Sequence, residues 1–90
     1  MLQRKLNGYA IKLPEAMRKS ISREMRKLKI TPQALAESIG IRSGTLNAKL
    51  YGRLPISGIQ FAKLGTELGW SAKEQRERAL ICLRDAGWPV

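Results

Sequence analysis

The apolar positions change period several times along the chain, and each change marks an element. Tyr9, Ile11 and Leu13 alternate with Ala10 and Lys12, the two-residue period of a short strand or of an extended arm packing one side down. From Pro14 to about Lys29 the spacing becomes helical. Met17, Ile21, Met25 and Leu28 recur at intervals of four, four and three and form one stripe. Pro14 suits a helix start, where a missing N–H costs nothing, and Glu15 favours the positive end of the helix dipole. The opposite face carries Arg18, Lys19, Ser22, Arg23, Arg26 and Lys27.

Thr31-Pro32 opens a second helix, with Thr31 as N-cap and Pro32 in the first helical position; Gly40 ends it. At about two turns it is too short to stand without packing. A third helix spans Ser43 to Tyr51 and ends at Gly52, with Leu46 and Leu50 as its apolar positions. Ser57 with Gln60, and Ser71 with Glu74, match the capping-box pattern and place helix starts near 58 and 72. The fourth helix is expected to bury Ile59, Ala62, Leu64 and Leu68 before Gly69. The fifth runs to about Ala86, with Gly87 following. The pattern predicts an all-α domain of five helices with a short N-terminal arm or strand.

Charge narrows the choice of partner. The 90 residues hold 17 Lys and Arg against 7 Asp and Glu, a net charge of +10, and no His. Nine cations and two anions fall within residues 1–29, whereas residues 54–90 hold five cations and four anions. So steep a gradient points to a polyanionic partner on one face, nucleic acid before an anionic membrane. Without His, and with Cys82 as the only cysteine, the chain has no zinc cluster, disulfide framework or Cys–His or Ser–His nucleophile pair. Cys82, in Ala79-Leu80-Ile81-Cys82-Leu83, reads as a small buried hydrophobe. Paired carboxylates and phosphate-cradling glycine loops are missing as well, so the expectation is a non-enzyme without cofactor, metal or small-molecule substrate. Neither a signal peptide nor a membrane span is evident, and a cytoplasmic, nucleoid-associated protein is expected.

The informative stretch is Thr31 to Gly52. Ala36 is small enough for a second helix to approach closely, and Gly40 supplies a sharp corner. Leu35, Ile41 and Leu46 are then expected to meet inside the angle of a helix-turn-helix. With Leu46 and Leu50 inward, Ser43, Gly44, Thr45, Asn47, Ala48 and Tyr51 are left outward: small and polar, and able to enter a groove about 12 Å wide. On Ile30-Thr31, Leu35-Ala36, Gly40-Ile41, Thr45-Leu46, Gly52 and Leu68-Gly69, residues 25–70 resemble the lambda-repressor/Cro-type (XRE-like) helix-turn-helix family. The resemblance implies a dimeric or higher-order DNA-binding transcription regulator, often of phage or mobile elements, whose third helix enters the major groove. The chain departs from the family at Pro32, which displaces the usual glutamine to Gln33, and at Lys49, where an apolar residue is common.

Arg42, Ser43, Thr45 and Asn47 are therefore the expected base contacts. Lys49 and Arg53 are expected phosphate anchors, as are Arg23 and Lys19 on the first helix; Gln33 joins them through the resemblance. Arg4, Lys5 and Lys12 would supply a basic arm. This divides the chain into an arm (1–13), a DNA-binding domain (14–70) and a C-terminal helix (71–90). Trp70, Leu80, Leu83 and Trp88 read either as core or, since so small a chain has little interior for them all, in part as a dimer seam on the fifth helix. The competing reading from another class is a protein-interaction module, an antitoxin or adaptor, on the same scaffold.

Overall fold

A computed structural model describes residues 9–89. Its elements run β1 (Ala10–Ile11), α1 (Glu15–Leu28), α2 (Pro32–Ile39), α3 (Ser43–Leu50), β2 (Ile56–Ser57), α4 (Gly58–Glu67) and α5 (Ala72–Asp85). The described chain is thus mostly helical, with one small sheet. The expected strand exists as β1, and its partner β2 has no counterpart in the sequence reading. They pair antiparallel, Ala10 opposite Ser57 and Ile11 opposite Ile56, and the Gly58 amide donates to the Tyr9 carbonyl over 2.9 Å. Pairing turns both isoleucines into the core, where Ile11 and Ile56 are buried. Arg4 and Lys5 lie outside the described residues, and Lys12 is exposed.

Local chemistry sets the helix boundaries. The Thr31 hydroxyl accepts from the Ala34 amide, and the Ser71 hydroxyl from that of Glu74. At Ser57 both halves of the capping box form, with the Gln60 side chain returning to the Ser57 amide. Pro14 is the N-cap of α1, one place before the expected helical position. Gly40, at φ +85°, closes α2: the Ile41 amide reaches the Ala36 carbonyl and the Gly40 amide that of Glu37. This left-handed closure satisfies carbonyls the helix leaves open.

One cluster of buried side chains unites all the elements. Tyr9, Ile11 and Leu13 belong to it together with Met17, Ile21 and Met25 of α1, Leu35 of α2, Leu46 of α3, Phe61 and Leu64 of α4, and Cys82 and Leu83 of α5. Tyr9 packs edge-on to Phe61, and Phe61 against Trp70, with ring centroids 6.5 and 5.4 Å apart. Tyr9, Ile11 and Leu13 are therefore core, while Ala10 and Lys12 are exposed, and α5 contributes Ala79, Cys82 and Leu83 to the same core. Two expected core positions are corrected. Leu28, the final residue of α1, is 52% exposed, and the buried stripe of that helix ends at Met25. Ile59 is 59% exposed, while Phe61 takes the interior. The strand pairing of Ile56 and the cap at Ser57 fix the phase of α4, so Phe61, Leu64 and Leu68 share its inner face.

A polar latch ties α1 to α5. The Arg78 guanidinium bonds Glu24 at 2.8 Å and Glu74 at 3.0 Å and lies 4.2 Å from the centroid of the Trp70 ring. Glu24 also accepts from the Trp70 indole and from the Ser20 hydroxyl. Partial burial pushes the Glu24 carboxyl up, but the hydrogen bonds from Trp70, Ser20 and Arg78 and the Arg78 charge outweigh it and hold it below the ordinary value. No helix among the described residues is long and apolar enough to cross a membrane.

Candidate nucleic-acid interface

Helices α2 and α3 are separate, joined through Gly40, Ile41 and Arg42. Leu35 and Leu46 are buried within the angle, and Ile41 and Leu50 pack half-buried against the core. That seating decides what α3 presents. Arg42, Ser43 and Gly44 are exposed; Thr45, Asn47 and Ala48 are half-buried along its flank; Tyr51, just past its end, is 65% exposed. The N-cap residue of α3, Arg42, makes no side-chain cap. The N–H groups of the first turn are thus left to an outside acceptor, at the positive end of the dipole.

Beside α3 lies the basic face of α1. Arg18, Lys19, Arg23 and Arg26 line a groove of about 380 Å³ whose far wall is Leu50 and Tyr51. A second groove of about 250 Å³ adjoins it, bringing Arg26 and Ser22 of α1 to Asn47, Tyr51 and Pro32. Among the described residues no carboxylate lines either one. Of the two acids of α1, one pairs with a groove cation and the other turns to α5. Glu15 pairs with Lys19 at 3.1 Å, both side chains being 70% exposed, and the hydrogen bond and charge of Lys19, with Arg18, hold its carboxyl below the ordinary value. Glu24 is held by the latch with Arg78. The surface from α1 to α3 therefore keeps its positive charge largely uncompensated.

The expected site residues do not all lie together. Arg42, Ser43, Thr45 and Asn47 lie together on α3 and its entry, with Asn47 also bordering the α1 groove. Arg23 and Lys19 line the first groove, and Gln33 is exposed in the first turn of α2. Arg53 is exposed and leans over the Tyr51 ring, 5.8 Å from its centroid. Lys49 is the exception. Its ammonium donates to the Pro55 carbonyl at 3.0 Å and to Gln60 Oε1 at 2.7 Å, which fastens the end of α3 to the start of α4. Two of its three donors thus serve the fold, which leaves one for an outside acceptor.

Arg18, Arg26 and Tyr51 were absent from the expected contacts, although they line the grooves. Arg18, Ser22 and Arg26 sit at i, i+4 and i+8, so their shared row was legible. That this row faces the end of α3 was not, because it depends on how α1 packs. Among the described residues no cluster of His, Cys, Asp or Glu is arranged to hold a metal. Comparison with family models, with curated proteins and with solved structures finds no match to the chain.

Proposed function

We propose that the protein binds double-stranded DNA in a sequence-specific manner, with α2 and α3 acting as a helix-turn-helix of lambda-repressor/Cro type and α3 entering the major groove. The observation that carries this reading is the continuity of the polar, uncapped α3 with the basic face of α1, on which, among the described residues, only Lys19 of the groove-lining cations is paired with a carboxylate. A duplex needs both parts: phosphate contacts hold the protein in register, and groove contacts read sequence. Arg42, Ser43, Thr45 and Asn47 are the readers. Arg23, Arg26 and Arg18, with Gln33 and Arg53, address the backbone, and Lys19 divides itself between that task and Glu15. The regulator acts as a dimer, two α3 helices standing about 34 Å apart on an inverted repeat. Ile81, 52% exposed on α5, and Trp88, 38% exposed beyond it, give a second copy apolar surface to cover.

The test measures affinity for promoter DNA of its own locus against random duplex, over a salt series. Equal affinity for both overturns sequence specificity. Asn47→Ala should relax base preference, whereas Arg23→Ala should weaken every sequence alike and reduce the salt slope by about one unit. A tight protein partner from nuclease-treated lysate, with no DNA footprint, would favour the interaction module instead.

A further inference from the structure

Arg18 stands where α1 meets the end of α3. Its Nη1 donates to the Tyr51 carbonyl over 3.0 Å. The last carbonyls of a helix lack intrahelical partners and carry the negative end of the dipole, so a guanidinium is well placed there. Its Nε is buried without a partner, an arrangement that persists only where the surroundings fix the side chain. Gly52 leaves the room for it. It sits at φ +77°, and a Cβ on it would lie 3.2 Å from Arg18 Nε and 3.3 Å from Cδ. The arginine thus lies against bare backbone at the turn that ends α3. The same side chain lines the larger groove, in company with Lys19, Arg23 and Arg26.

We propose that this groove is a phosphate-binding seat in which Arg18 takes an anion oxygen while holding the end of α3, so that filling the seat fixes how α3 is presented. The guanidinium has five donors in a rigid fork; the bond to Tyr51 uses one and the Nε–H is buried, so three remain for an anion. A phosphate matches what surrounds it: several cations along one wall, facing Leu50 and Tyr51 on the other, call for an anion with several oxygens. Duplex backbone and free phosphate share this chemistry. That the occupant is DNA rests on the reading above; that the groove takes phosphate does not.

The experiment follows the intact chain by amide and Arg Nε–H NMR. Inorganic phosphate is titrated at constant ionic strength against chloride, and a second arm adds duplex DNA. Saturable shifts at Arg18 Nε–H and at the Tyr51 and Gly52 amides, produced by phosphate and not by chloride, are expected. Arg18→Lys keeps the charge but loses the fork, and should weaken phosphate binding about tenfold and abolish the Gly52 response. Should that variant lose its native spectrum, Arg23→Gln, which leaves the Tyr51 bond intact, must still weaken phosphate binding. Shifts equal in chloride, or spread evenly over Lys63, Lys73 and Arg84, overturn the proposal. Phosphate seated without duplex binding leaves the seat standing and removes the DNA reading; duplex binding with a silent groove does the reverse.

Discussion

Gly65 and Gly44 both lie inside helices with ordinary backbone angles, and replacing either by alanine should move stability in opposite directions. Helix propensity alone favours both changes by about 0.5–1 kcal/mol, since glycine loses more backbone entropy on folding. The surroundings decide otherwise at Gly65. A Cβ there would lie 2.6 Å from Trp70 Cε3 and 2.9 Å from Gln75 Cγ. Gln75 can swing away, but the indole is held by its bond to Glu24, the Arg78 guanidinium and the Phe61 ring. Overpacking against a fixed side chain costs about 1–3 kcal/mol, more than the propensity gain. At Gly44 nothing lies within 4 Å of the added atom, and the gain stands alone. At about 4–8 °C per kcal/mol for a domain of this size, Gly44→Ala should melt several degrees above the parent and Gly65→Ala several degrees below it. Thermal unfolding followed by circular dichroism, with urea titration as a second probe, reads both. A Gly65→Ala variant as stable as the parent would refute the account of Trp70 as a fixed wall. If DNA backbone approaches α3 closely, Gly44→Ala should also bind duplex more weakly despite its greater stability.

The latch predicts a pH dependence. Glu24 is held below its ordinary value of 4.5 in the folded state, so its contribution is present above that pH and is lost as pH falls beneath it. Urea unfolding of the parent should lose stability below that pH more steeply than Glu24→Gln; parallel profiles would remove Glu24 as the cause. Burial, with the Asp85 charge adding to it, pushes the Cys82 thiol up to about 12, so a thiol reagent at pH 8 should label it only in denaturant. Rapid labelling of the native protein would contradict its placement. Lys49→Met removes both bonds to Pro55 and Gln60 and should cost about 1–3 kcal/mol, yet leave the salt slope of DNA binding unchanged. A slope reduced by one would place Lys49 among the phosphate contacts.

Much of the fold was legible because its signals are local. The helix starts at Thr31, Ser57 and Ser71 depend on a hydroxyl reaching an amide three residues on, and the corner at Gly40 depends on one residue's freedom at positive φ. The stripe Met17, Ile21, Met25 is a matter of period, and all three side chains are buried. The candidate α3 surface followed in the same way, once Leu46 was placed inside. What the sequence left open depends on pairs distant along the chain. Ile11 meets Ile56, and that pairing sets the phase of α4 so that Phe61 displaces Ile59 from the core. Lys49 looks like a free cation until Pro55 and Gln60 are brought beside it, and Arg18 looks like one of six polar residues until it is laid against Gly52. Caps and periods act over a turn of helix, so neighbouring residues suffice to determine them. The direction in which a long charged side chain is spent depends on which carbonyls and glycines the core delivers to its tip, and only the packed chain decides that.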